Sequence, residues 1–173
     1  MKLKLLLVTL LVTLNLTAAT LGEIPKSTEI SGDNGGYVED GSAWSSDSIK
    51  DKVYVMFYVD PDEKDVNEHY SAALKAEKKA KRLSFQSIAV INLAATWKPN
   101  FVIEKILKGK QEEFPDTIYV KDKASVLVKA WDIDDDASNI LIFDKKGTLV
   151  FYHSGKMSDE DVKNSFKIIK ENS

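Results

Sequence analysis

At 173 residues, with 24 basic and 27 acidic side chains, the chain is long enough for one domain with a real hydrophobic core. It contains no cysteine, which excludes disulfides and any thiolate chemistry carried by this chain alone. The formal charge of −3 argues against nucleic acid or an anionic membrane as a partner.

Residues 1–19 read as a signal peptide. Lys2 and Lys4 give a positive start, residues 5–16 form an apolar run, and Thr17-Ala18-Ala19 offers small residues for cleavage after Ala18 or Ala19. A spanning helix needs about 20 apolar residues. This run is shorter and already contains Thr9, Thr13 and Asn15. No cysteine follows it, so a lipid-modified anchor at that point is excluded. Cleavage removes both lysines and no acid, which takes the formal charge to −5 and leaves one domain over residues 20–173. The expected location is periplasmic or secreted, with no stable membrane insertion after cleavage.

Residues 20–36 are rich in Gly, Ser, Asp and Lys and read as a loose or strand-edge lead-in, with Asn34-Gly35-Gly36 as a turn. Tyr37-Val38-Glu39 before Asp40-Gly41 suggests a short strand and turn. Residues 53–59 (VYVMFYV) are uninterruptedly apolar, as in a strand buried on both faces at the centre of a covered sheet. Asp60-Pro61-Asp62-Glu63 reads as a helix start, with Asp60 capping and Pro61 at the first position. Val66, Tyr70, Ala73, Leu74, Glu77 and Ala80 then recur at helical spacing.

Residues 85–93, with Ile88, Val90 and Ile91, read as a second buried strand. The alternation implies a parallel βαβ unit. Pro99-Asn100 opens a helical pattern through Phe101, Val102, Ile106 and Leu107, stopped at Gly109. Residues 117–120 give a short strand, and Val126, Leu127 and Ala130 a helix of one or two turns closing on Trp131. Residues 140–143 and 149–152 form a hairpin through Asp144-Lys145-Lys146-Gly147. The spacing from Ser158 to Asp161 marks a helix cap, followed by a stripe of Val162, Phe166 and Ile169.

The order strand, helix, strand, helix, strand, hairpin, terminal helix resembles the thioredoxin superfamily. Ser48-Ile49-Lys50-Asp51-Lys52-Val53 is similar to the approach to the first central strand in exported thioredoxin-like and peroxiredoxin-like proteins. Ile142-Phe143-Asp144-Lys145-Lys146-Gly147-Thr148-Leu149-Val150 is similar to that superfamily's late hairpin. Ala130-Trp131-Asp132-Ile133-Asp134-Asp135-Asp136-Ala137-Ser138, with the rest of the chain from Phe114 onward, resembles the YtfJ-type periplasmic thioredoxin-like family. The resemblance covers residues 35–170. It implies an α/β, three-layer thioredoxin-like fold whose mixed central sheet has helices on both faces.

Redox-active members place two cysteines in the loop after the first central strand, where free amides and the helix dipole lower a thiol pKa. Here that loop is Asp60-Pro61-Asp62-Glu63-Lys64-Asp65, and its carboxylates satisfy the same electrostatics without chemistry. The superfamily's proline before the hairpin strand, usually cis, is replaced by Ser138 in Ala137-Ser138-Asn139-Ile140. Thiol–disulfide and thiol-peroxidase activities are excluded.

Other constellations carry a bland reading beside a chemical one. Asp132, Asp134, Asp135 and Asp136 could ligate Ca²⁺, but the EF-hand glycine and distal glutamate are missing, and a solvated capping loop explains them. His69 lies four residues after Asp65, as in a surface pair on one helix, and His153 follows a strand end. Neither has a nucleophile at motif spacing. No glycine-rich phosphate loop exists, and no catalytic, cofactor or metal residue is assigned. Trp44, Trp97 and Trp131 are expected in the core or at its rim. Lys75, Lys78, Lys79, Lys81 and Arg82 read as a solvated helix face. The sequence therefore describes an exported non-redox binding or accessory module for an unknown protein or small-molecule ligand, with no cofactor. The competing reading is a Ca²⁺-binding protein or an acid–base hydrolytic enzyme using the Asp132 to Asp136 cluster.

Overall fold

A computed structural model describes residues 18–173, so the apolar run assigned to a signal peptide lies outside the described residues. The elements are β1 (Glu29–Ile30), β2 (Gly35–Tyr37), β3 (Trp44–Ser45), β4 (Tyr54–Val59), α1 (Glu68–Lys79), β5 (Gln86–Asn92), α2 (Asn100–Glu113), β6 (Thr117–Asp122), α3 (Val126–Trp131), β7 (Ser138–Phe143), β8 (Leu149–Ser154) and α4 (Asp159–Asn172). Six strands form one mixed sheet in the order β2-β6-β5-β4-β7-β8, and β1 pairs with β3 beside it. β4 and β5 are adjacent and parallel, with Met56 opposite Ile88, and β6 continues the parallel block. β7 and β2 run antiparallel to their neighbours in this block, and β8 antiparallel to β7.

Alternation along the strands divides the core. Tyr54, Met56, Tyr58, Ile88, Val90, Leu141 and Phe143 face one side, where Leu127 and Trp131 of α3 cover them together with Ile30 and Trp44. Val53, Val55, Ile140 and Ile142 face the other, under Tyr70 and Leu74 of α1 and Ile169 of α4. Ile103 and Leu107 of α2 join Val38, Leu93, Ile91 and Tyr119 on that second side. The sheet is thus covered on both faces, as the fold class requires.

Local chemistry explains most elements. Ser158 caps α4 reciprocally with Asp161, each side chain accepting the other's backbone N–H. The β7–β8 turn is held by Asp144, whose carboxylate accepts from Lys146 N and Thr148 N at 2.8 Å, with Gly147 at φ 86°.

Three expectations are corrected. Residues 20–36 are not loose but hold to the strand-edge alternative, with β1 and the start of edge strand β2 inside them, and they are tied to the domain where Gly22 N donates to Leu149 O at 2.8 Å and the Trp131 indole to Lys26 O at 2.9 Å. Gly35 and Gly36 are not a turn but edge-strand residues paired to β6, at φ 125° and 132°, where a side chain is not tolerated. α2 does not stop at Gly109 but runs four residues further, since Lys110, Gln111, Glu112 and Glu113 are good helix formers.

Those glycines give opposite expectations. A Cβ on Gly109 meets nothing within 4 Å, so Gly109→Ala is expected to stabilise by about 0.5–1 kcal/mol through reduced chain entropy. A Cβ on Gly35 would sit 1.9 Å from Lys121 O, so Gly35→Ala is expected to cost roughly 2 kcal/mol or more. Urea unfolding of both variants checks the pair; a destabilising Gly109→Ala would place the helix end where the sequence suggested.

Candidate functional site

Open α/β sheets receive ligands outside the carboxyl ends of their parallel strands. Here those ends are Val59, Asn92 and Asp122, facing the start of β7. The end of the sheet is crowded with buried polar side chains, and each element contributes one.

After β4, Asp60 N donates to Ala137 O at 3.0 Å, and the Asp60 carboxylate accepts from Asp62 N at 2.8 Å. Asp60 caps only a 3-10 turn over Pro61–Glu63, so the expected long helix does not start here. α1 begins at Glu68, and Asn67 before it makes no side-chain cap. Asn67 instead turns inward, donating to Ser138 Oγ at 3.1 Å and Gly155 O at 2.8 Å and accepting from Met157 N at 2.9 Å. Ser138, in the position of the superfamily's proline, is buried, and the described residues contain no cis peptide bond. The loop after β4 meets the start of β7 directly through Asp60 N and Ala137 O, and Asn67, just beyond that loop, bonds Ser138.

Asp122 is fully buried, and among the described residues no cation pairs with it. Its carboxylate accepts from Tyr58 Oη at 3.1 Å and from the amides of Ala124, Val126 and Leu127 at 2.9–3.1 Å, which caps α3. Burial, reinforced by Asp122, pushes the Tyr58 hydroxyl far up. Asn92 accepts from Ser125 Oγ at 3.0 Å and donates to Asp135 at 2.6 Å. Asn139 accepts from Tyr152 Oη at 3.0 Å and donates to Asp134 O at 2.8 Å, while Asp134 N donates to Tyr152 Oη at 3.2 Å. No buried side-chain polar atom of these residues is left without a partner.

The acidic segment is thus pinned by its backbone and by Asp135. Among the described residues no three histidine or carboxylate side chains come together as a metal-binding group. Nothing in this geometry favours the calcium or hydrolytic reading. His69 does not pair with Asp65: its Nε2 lies 3.0 Å from Met157 O, and Asp65 pairs with Lys64. His153 lies within β8, 3.9 Å from Asp161 of the α4 cap. In the basic run, Lys75 and Lys78 sit over the rings of Phe114 and Phe85, and Arg82 makes a two-point pair with Glu77.

Beside this closed pole lies an open surface. Trp44 and Trp131 are core residues as expected, but Trp97 is 86% exposed, so the core or rim expectation fails for it. Phe101 (74%), Ile106 (54%) and Val102 (39%) continue the exposed strip along α2, whose buried face is Ile103 and Leu107. Asp62 anchors the loop that carries Trp97: it accepts from Thr96 Oγ1 at 2.8 Å and pairs with Lys98. Those bonds hold the Asp62 carboxyl below its usual range, Lys98 first. Sequence reasoning missed the network of Asn67, Asn92, Asp122 and Asn139. Asn92, Asp122 and Asn139 carry a signal, a polar residue at one end of an apolar strand run, whereas Asn67 lies beyond the strand and carries none.

The model of a bacterial family of proteins of unknown function, YtfJ_HI0045, matches residues 21–172. An uncharacterised protein of Haemophilus influenzae is 28% identical over 130 residues, covering 73% of this chain and 70% of that protein. A putative thioredoxin from Neisseria meningitidis superposes with a TM-score of 0.58 at 15% identity, over 84% of this chain and 93% of its own. A putative thiol:disulfide interchange protein DsbE from Chlorobium tepidum gives 0.62 at 11% identity, over 90% and 100%. At these identities the structural matches establish the fold, which is thioredoxin-like.

Burial pushes the Asp60 carboxyl up, with Asp62, Asp136 and Glu63 adding to it against the bond from Asp62 N. The folded protein therefore holds this proton to higher pH than the unfolded chain. Its contribution to stability is full in acid and is lost as pH rises through the folded-state value. Asp60→Asn keeps an acceptor for Asp62 N and is expected to raise Tm at about pH 7 while changing little at about pH 3. A lower Tm at neutral pH would show that the charge is needed. Melts of the unaltered protein in Ca²⁺ and in EDTA are expected to coincide; a stabilisation of several degrees saturating at micromolar Ca²⁺ would restore the metal reading.

Proposed function

The chain belongs to the bacterial family of unknown function YtfJ_HI0045 and has a cysteine-free thioredoxin-like fold, and from that premise we propose that it acts as an exported, non-redox binding or accessory module. Export, to the periplasm or the medium, is supported by Lys2 and Lys4, the apolar run after them and the small residues Ala18 and Ala19.

The binding role is carried by one observation: the strip of Trp97, Phe101, Val102 and Ile106 stands exposed beside a pole whose polar groups are already paired. Contiguous exposed apolar side chains mark interaction sites, because water contact with them has no folding benefit. An exposed helix face is convex and gives a small molecule no walls, so a protein surface is the occupant it suits.

Two measurements check this reading. The N terminus of the exported protein is expected at Ala19 or Thr20, and a product that keeps Met1 inside the cell would refute export. A photoreactive phenylalanine analogue placed at Trp97 or Phe101 is expected to give protein adducts in the exporting cell. The same group at exposed Lys167 of α4, which packs on the opposite edge strand, is expected to give none. Absence of adducts from the strip would remove the binding role.

A further inference from the structure

We infer that the leader is removed between Ala18 and Ala19, and that the α-ammonium group so created on Ala19 is a fixed part of the fold, seated on the Trp131 carbonyl. The inference rests on the export reading above and chooses between the two cleavage points that the sequence leaves open. Ala19 N donates to Trp131 O at 2.6 Å, and the Ala19 side chain packs half-buried against the core to which Trp131 and Ile133 belong. Trp131 ends α3, and a carbonyl in the last turn of a helix has no partner inside the helix. Asp132 N turns back to Val128 O with a left-handed backbone, which leaves the Trp131 carbonyl for a donor from outside. Ala19 supplies that donor. The chain beyond it is fixed again where Gly22 N donates to Leu149 O at 2.8 Å, Leu149 N to Glu23 O at 2.9 Å and the Trp131 indole to Lys26 O at 2.9 Å. Ala18, on the other side of the bond, is exposed.

Cutting after Ala18 adds one water across the Ala18–Ala19 peptide bond, in the hands of a processing peptidase. The hydroxyl goes to the Ala18 carbonyl carbon and the proton to the Ala19 nitrogen, which then also takes the proton of the new acid. The leader leaves with a carboxylate, and the mature chain starts with an ammonium of three donors where one amide N–H stood. One donor keeps the Trp131 carbonyl, and the bond is stronger for carrying a charge. The positive group also meets the negative end of α3. Along the residues after the cut, α3 and the segment following it, exposed carboxylates at Glu23, Asp132 and Asp134 outnumber the cations of Lys26 and Lys129. Lys129 is in addition engaged by Ala124 O at 2.5 Å, and Tyr152 on β8 stays neutral because burial pushes its hydroxyl up. Cutting after Ala19 instead would start the chain at exposed Thr20, take this donor from the Trp131 carbonyl and strip the Ala19 methyl from the core.

Intact mass and amino-terminal sequencing of the exported protein are expected to give Ala19 as the first residue. Its α-amine, followed through the pH dependence of its acylation, should titrate above the usual range of about 7.7–8.0, since the carbonyl and the carboxylates favour the charged form. A raised value fixes the sign. The contribution to stability is full below the unfolded amine's value and is lost as pH rises through the folded one. A chain with one glycine placed before Ala19 keeps the Ala19 N–H but moves the charge outward. Released from a cleavable fusion beside a chain that begins at Ala19, it should melt a few degrees lower at about pH 6 and no lower at about pH 10. Circular dichroism before each melt confirms that both chains fold. An exported protein that begins at Thr20 would overturn the inference and leave the export reading standing. An ordinary α-amine with equal melts of the two chains would overturn it as well. A product that keeps Met1 inside the cell would remove both readings.

Discussion

Burial of polar groups at the carboxyl ends of β4, β5 and β6 is the constraint on which the rest of the molecule turns. An unpaired polar group there costs about 1–3 kcal/mol, so each must find a partner within the protein or in a ligand. Asn67 shows how far this reaches. Its one amide bonds Ser138 at the start of β7, Gly155 after β8 and Met157 before α4. That engagement takes the side chain away from capping α1. Asp122 does the same for α3: four donors surround a fully buried carboxylate, and the helix starts where its amides are collected.

What the sequence made legible was whatever is decided locally. Residues 53–59 and 85–93 could be strands from composition alone, the Asp144 to Gly147 turn is set by one carboxylate and one glycine, and the α4 cap needs only Ser158 and Asp161. The start of α1 was not legible, because Asp60-Pro61-Asp62-Glu63 is a sound local start that a distant contact overrides. The backbone turns once at Pro61–Glu63, then waits for Asn67 to be seated against residues 71 to 90 positions away. The same holds for Gly35 and Gly36: as a dipeptide they signal a turn, but pairing with Lys121 and Asp122 makes them strand. At the candidate site, the missing thiols and proline were visible. The bonds that replaced them join residues too far apart in the chain for periodicity to report.

Charge teaches a related lesson about scale. A net charge of −3 describes the whole chain, yet among the described residues Lys105 and Lys108 of α2 make no ion pair and stand beside apolar side chains. Four aspartates in five positions look like a ligand set in sequence. In the fold, Asp132 and Asp136 take left-handed backbone angles, Asp134 is held by its main chain and Asp135 is tied to Asn92. Composition bounds the long-range field, while individual hydrogen bonds decide what a cluster is free to do.

The loop after β4 connects the closed pole to the open strip. Docking of α2 onto the sheet is accounted for by Ile103 and Leu107, so the folding of the domain gives no reason for Trp97, Phe101 and Ile106 to be large and apolar. The proposed binding role would supply one. Asp62 stands in the loop where redox relatives carry thiols, and it grips Thr96 and Lys98 on either side of Trp97. An exposed ion pair of this kind contributes little to stability. Its larger effect is positional, since it fixes the chain on both sides of the most exposed aromatic residue. The cysteine-free loop after β4 is thus the support that holds Trp97 in place.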